Sequence, residues 1–134
     1  MTRTELREKT FMLLFRNDFH DGDEMPEQVE LYFETQGITI EGKDREYVEN
    51  KVKDIILHMS ELDKDIDNAS ESWELNRIDK VSLTILRLAY YEIKYEEDVP
   101  EGVAINEAVE LAKKFGQDDS SAFVNGVLGK LVNA

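Results

Sequence analysis

Arg3 and Arg7 stand four residues apart near the start of the chain. On a helix that spacing sets them about 40° apart, on one stripe within the first two turns. Beside the unpaired N–H groups of a helix N-terminus, two such guanidinium groups could hold phosphates. The same pair also reads as an ordinary solvated face with Glu8 nearby, because cations at that end of a helix and like charges at i, i+4 cost only a few tenths of a kcal/mol. Near the other end of the chain, Phe123 lies roughly 90° from the centre of the face made by Val124, Val127, Leu128 and Leu131, just after a cap at Asp119 or Ser120. An aromatic ring at such an edge can stack an unpaired base, or it can simply border the core.

Other candidates read more plainly as structure. Asn106 and Asn125 could read bases, but buried asparagines usually satisfy backbone groups, and that reading is preferred. Gly126 reads as a close helix crossing. Lys113 and Lys114 fall where a helix C-terminus welcomes cations, although they could extend a basic rim. Arg87, in an otherwise apolar stretch, needs a partner if buried, with Glu92 or Glu107 as candidates. Catalysis finds little support. Thirty carboxylates accompany two histidines, His20 and His58, and no cysteine. With no nucleophile motif, phosphate-cradling glycine loop or metal-ligand spacing, an enzyme, a bound cofactor and a metal site are all unexpected.

The net charge of −14 opposes nucleic acid as a sum, since phosphate binding draws on clustered Lys and Arg, but its distribution is uneven. Residues 1–20 carry +1, 21–70 carry −10, 71–101 carry −4 and 102–134 carry −1. The acidic first half reads as a solubilising face that restricts where RNA can lie, or as an attraction for a basic protein. Both ends of the chain are left nearly neutral.

These residues need elements to position them, and the elements read as helices. Glycine and proline number only seven and two. Leu, Glu, Lys and Ala dominate several windows. Thr2-Arg3-Thr4-Glu5 has the spacing of a capping box, opening a helix to about Phe19. Pro26 opens a second, short helix that stops before Gly37, and 38–42 reads as a connector. Asp44 can cap a third, whose positions Val48, Val52, Ile55, Ile56, Met59 and Leu62 fall at three- and four-residue steps. A short helix over 63–70, a turn at Ser72-Trp73-Glu74-Leu75, a broad apolar helix from Ile78 to Ile93, a helix from Val103 to Phe115 closed by Gly116, and a last helix complete an all-α chain of seven helices. One domain of two small packed bundles, about 1–62 and 63–134, is expected. The apolar run from Phe11 to Phe15 is too short for a signal core or a membrane span, so a soluble cytoplasmic protein is expected.

Four phrases in the second half carry a resemblance: Ile85-Leu-Arg-Leu-Ala-Tyr-Tyr-Glu-Ile93, Asp98-Val-Pro100, Val103-Ala-Ile-Asn-Glu-Ala-Val-Glu-Leu-Ala-Lys-Lys-Phe-Gly116 and Ser121-Ala-Phe-Val-Asn-Gly-Val-Leu128. In their order and spacing, over about 73–131, the chain resembles the NusB transcription antitermination family. The first half matches in outline, through Leu14-Phe15 at the end of the opening helix. The resemblance implies the two-bundle fold and binding of single-stranded boxA-like leader RNA together with the small-subunit ribosomal protein NusE. It also implies entry into the RNA polymerase elongation complex through other Nus factors, in support of rRNA transcription in bacteria. Family members carry an arginine-rich first turn. Here Arg3 and Arg7 match basic positions and Lys9, at the end of the same stretch, joins them as a candidate RNA contact, whereas Thr4 and Glu5 fall where further arginines are often found. Asp119 and Phe123 match positions in the family's RNA-facing region. A non-catalytic RNA and protein adaptor is therefore expected, as a monomer or weak dimer. The alternative is a protein-only module of the same fold that has lost RNA binding.

Overall fold

A computed structural model describes residues 1–17, 42–70 and 77–133. Thr2 and Glu5 form the reciprocal cap that their spacing predicts: the Glu5 N–H donates to Thr2 Oγ1 at 3.1 Å, and the Thr2 N–H reaches Glu5 Oε1 at 3.4 Å. Helix α1 follows over Arg3–Asn17 and buries Phe11, Leu13 and Leu14. The rings of Phe11 and Phe15, one turn apart, stack at 5.9 Å. Helix α2 spans Gly42–Leu57. Its first residue sits at φ 59°, in the left-handed region that glycine enters without steric cost. Asp44 therefore lies inside the first turn instead of capping it, and its carboxylate pairs with the Met1 ammonium at 3.3 Å. Val48, Val52 and Ile55 supply the buried stripe of α2. Residues 1–56 form one compact unit.

The second unit, residues 57–134, holds α3 (Met59–Ala69), α4 (Lys80–Tyr95), α5 (Glu101–Phe115) and α6 (Ser120–Val132). Apolar rhythm alone predicts one helix running through to Leu62. The chain instead ends α2 at Leu57, turns at His58 (φ −97°, ψ 5°) and restarts at Met59. Val48, Val52 and Ile55 bury in the first unit, while Leu62 and Ile66 bury in the second. The compact units divide between residues 56 and 57. Six helices and no strand occur among the described residues, an all-α architecture. The helix expected from Pro26, the connector before Gly42 and the turn around Trp73 lie outside them.

Helix α4 is the centre of the second unit and packs on α3, α5 and α6. Asp79 caps it, with its carboxylate accepting the Ser82 N–H at 2.9 Å, so the helix begins at Lys80. Leu83, Ile85, Leu86, Leu88, Ala89 and Tyr91 are all buried. Each large aliphatic side chain contributes about 1.5–3 kcal/mol by leaving water. Arg87 lies among them, 8% exposed. Its Nε and an Nη donate to the two carboxylate oxygens of Asp63 on α3, each at 2.8 Å. This bidentate partner comes from another helix, α3.

Helix α5 starts two residues before Val103, after Pro100, and buries the small face Ala104, Ala108 and Ala112. In α6, Val124, Val127 and Leu128 are buried and Leu131 is half-buried. No helix among the described residues is long and apolar enough to cross a membrane. Removing one partner of the fork strands a buried cation. Asp63→Ala should lower stability in urea denaturation by about 2–4 kcal/mol, and the paired change Asp63→Leu, Arg87→Met should recover most of the loss.

Candidate nucleic-acid interface

In the first unit, the three basic candidates share α1 but not one environment. Arg3 is exposed and Lys9 is half-buried. Arg7 is buried, 7% exposed. Spacing sets Arg3 and Arg7 on one stripe, but burial rises so steeply along α1 that a single turn separates an exposed guanidinium from a buried one. The capping box also occupies the Glu5 N–H, so fewer backbone donors remain for an anion there.

In the second unit, the N-termini of α4 and α6 meet around a recess of about 100 Å³, walled by Arg77, Ile78, Asp79 and Ser82 on one side and Asp119, Ser120 and Phe123 on the other. Asp119 and Phe123 are thus brought together on one wall. Phe123 is half-buried, an edge position with one side toward the core. Asp119 occupies the cap of α6, yet its carboxylate makes no capping hydrogen bond and is exposed. The turn is closed by Ser120, whose hydroxyl accepts the Gln117 N–H at 2.9 Å. The Asp119 carboxylate is therefore available to a ligand. Gly116 makes this turn possible: a Cβ there would lie 2.7 Å from Ser120 Cβ and Oγ and 2.8 Å from the Ala112 carbonyl. Arg77, Asp79 and Ser82 are not among the candidates that the sequence singles out. Asp79-Lys80-Val81-Ser82 carries a helix-start signal that would have placed them.

Other residues take places their neighbours in sequence do not foretell. Asn106 and Asn125 are exposed, not buried. Gly126 is exposed as well, and a Cβ added there would meet nothing within 4 Å, so the close approach belongs to Gly116 and not to Gly126. Lys113 and Lys114 are exposed in the last turn of α5, with Lys113 3.7 Å from Glu110 and Lys114 over the Phe115 ring at 5.6 Å.

A polar cluster across α3 and α4 bears on chemistry. Lys94 pairs with Glu61 and with Asp65, Tyr90 donates to Asp65 at 2.7 Å, and Tyr95 donates to Glu61. Hydrogen bonds from Lys94 and then Tyr95 hold the Glu61 carboxyl below its usual range. The Tyr90 hydrogen bond, ahead of that from Lys94, does the same for Asp65. Lys94 is raised, chiefly by Glu61, and burial followed by Asp65 pushes Tyr90 up to about 12. All four groups hold one charge state across neutral pH, which suits an ion-pair lattice and not proton transfer. No cluster fit to hold a metal occurs among the described residues.

The chain matches the NusB family over residues 4–133. It is 53% identical over 130 residues to the transcription antitermination protein NusB of Agathobacter rectalis, covering 97% of this chain and 98% of that protein. It is 48% identical over 134 residues to the protein of that name from Lachnoclostridium phytofermentans, covering 99% of this chain and 100% of the relative. T. maritima NusB superposes with a TM-score of 0.86 at 34% identity, over 99% of this chain and 92% of that one. A chain from a complex of the antitermination factors NusB and NusE with dsRNA superposes with a TM-score of 0.83 at 26% identity, over 99% and 98%.

Because a Cβ at position 116 must displace backbone or the α6 cap, Gly116→Ala should destabilise the chain by about 1–3 kcal/mol. Thermal denaturation checks this. Gly126→Ala, in open space on a helix, should be neutral or slightly stabilising.

Proposed function

The chain belongs to the NusB family, and on that premise we propose that it is a transcription antitermination factor, a non-catalytic adaptor that binds boxA-type leader RNA together with the ribosomal protein NusE. Its RNA surface consists of Arg3 and Lys9 at the start of α1, with Arg7 contributing what its buried position allows, and of Asp119 and Phe123 at the start of α6. The observation that carries this reading is the recess where a half-buried aromatic ring and an uncommitted carboxylate stand together, in a fold shared with a NusB solved with NusE and RNA. A base must be unstacked to reach such a ring, so the segment read there is single-stranded.

Charge sets the division of labour. With a net charge of −14, the chain offers few phosphate contacts, so affinity for RNA alone is modest. NusE supplies the second contact, and each partner raises the effective concentration of the other. The two bundles work as one domain in the cytoplasm, as a monomer or weak dimer, and the complex joins elongating RNA polymerase through other Nus factors to support rRNA transcription. Binding of this kind requires no cofactor.

Titration with single-stranded boxA-like RNA, with and without NusE and at two salt concentrations, tests it. Affinity should fall as salt rises, and Arg3→Ala with Lys9→Ala should make the log–log salt slope shallower by about 1.4, the value for two phosphate contacts on a single strand. Phe123→Ala should weaken binding by about 1–3 kcal/mol while leaving the slope unchanged. Absence of RNA binding even with NusE would favour a protein-only module.

A further inference from the structure

Leu57 is the most exposed large apolar side chain among the described residues, at 78%, and it stands beside another exposed one, Tyr95. The ring of His58, next in the chain, stacks on Tyr95 at 4.6 Å, and Tyr91 backs both, 5.4 Å from Tyr95 and 6.5 Å from His58. Single apolar side chains scattered over a surface need no explanation, whereas a contiguous patch marks contact with something. Polar contacts hold this patch in shape. The Tyr95 hydroxyl donates to Glu61, 2.8 and 2.7 Å from its two carboxylate oxygens, and Lys94 pairs with the same carboxylate. Ion pairs this exposed add little stability. Their effect is to fix one rotamer of a tyrosine that is 37% exposed, and a ring ordered in advance loses little freedom when a partner covers it.

Charge selects what can cover it. Over residues 57–65 and 94–101, two lysines stand against seven carboxylates, and one of the seven, Asp63, is neutralised by Arg87. Directly after Tyr95, a turn closed by the Val99 N–H on the Glu96 carbonyl at 3.0 Å carries Glu96, Glu97 and Asp98, the last two exposed. Such a surface repels RNA phosphates, and a second copy would set the same carboxylates against each other. A cationic protein segment with apolar side chains fits. The chain itself shows that these rings accept a cation, since the Lys94 ammonium lies 5.6 Å from the Tyr90 ring centre and 5.8 Å from that of Tyr95. Among cations a guanidinium suits the face best, because it is planar, weakly hydrated, stacks on aromatic rings and pairs with carboxylates by two bonds at once.

We propose that Leu57, His58 and Tyr95, with the acidic turn at 96–99, form a docking face for an arginine-bearing, partly apolar segment of a protein partner other than NusE. The guanidinium stacks on Tyr95 and pairs in the turn, while an aliphatic side chain covers Leu57. The face lies at the C-terminal end of α4, about 20 Å along the helix from the recess at its N-terminus, so RNA held there leaves it open. Docking follows from the geometry, and its role as a third contact rests on the adaptor reading above, in which the chain meets the elongation complex through further factors.

The probe is a fluorescein-labelled peptide of alternating arginine and leucine, beside a version in which citrulline keeps the shape of arginine without its charge, each titrated with the full chain by fluorescence polarisation. The arginine peptide should bind about tenfold more tightly than the citrulline peptide. Leu57→Ser and Tyr95→Ala should each weaken it by about fivefold or more, and Glu97→Lys by about fivefold. Leu57 and Glu97 are exposed, so these two variants keep the fold, which circular dichroism checks. Glu110→Lys, the same charge change at an exposed position on α5, should leave binding unchanged, as should saturation with NusE. Equal losses from Glu97→Lys and Glu110→Lys, or none from Leu57→Ser, mean diffuse attraction to an acidic chain and overturn the proposal. Displacement by NusE gives the face to NusE and overturns it as a third contact, and absence of peptide binding overturns it outright. The same variants should bind boxA-like RNA as the wild-type chain does, whereas loss of RNA binding by the wild-type chain strikes the adaptor reading and leaves the docking result standing.

Discussion

A guanidinium cannot lie in the middle of an apolar helix unless something takes its hydrogen bonds, and the packing of the second unit depends on how Arg87 meets that requirement. Asp63 receives it as a fork, two oxygens to two nitrogens at 2.8 Å, a geometry that fixes direction as well as distance. Apolar contact alone would let α3 slide along α4. The fork sets their register, and around it Leu62, Ile66, Ile85, Leu86 and Leu88 are buried without measurable exposure or nearly so. Further along the same pair of helices, Lys94 between Glu61 and Asp65 repeats the link at the surface. There, solvent leaves it little energetic weight.

With α4 held, its N-terminus stands in a defined place, and α6 is brought to it by the turn at Gly116. That turn uses the Ser120 hydroxyl to satisfy a backbone N–H, while the preceding Asp119, at the position where a side chain ordinarily caps, makes no such bond. The outcome is a recess between two helix starts in which the Asp119 carboxylate is not consumed by the cap. Neighbouring residues thus divide the work: Asp79 and Ser120 hold the helix starts, while Asp119 stays exposed at the recess.

Features that depend on a few consecutive residues are legible in the sequence. The Thr2–Glu5 cap, the end of α5 at Gly116 and the apolar faces of α4 and α6 follow from spacing alone. The break at His58 does not, because the three- and four-residue rhythm of apolar positions runs unbroken through it while the burial changes from one unit to the other. Burial of individual polar residues is also illegible. Arg7 is buried and Asn106 and Asn125 are exposed, since each outcome is decided by elements distant in the chain. Half of the recess, Asp119 and Phe123, is marked in the sequence. Its other half, Arg77, Asp79 and Ser82, lies some forty residues away, where only the fold reveals the juxtaposition.

On the reading proposed above, a strongly acidic chain meets RNA through two small areas, the start of α1 and the recess at the start of α6. Amide chemical shifts recorded by NMR while single-stranded boxA-like RNA is added to the full chain test this most directly. The expected result is perturbation concentrated at residues 3–9, 77–82 and 119–123, with the acidic helix at 42–57 unaffected. Perturbation centred on that helix, or spread without focus over the second unit, would contradict it.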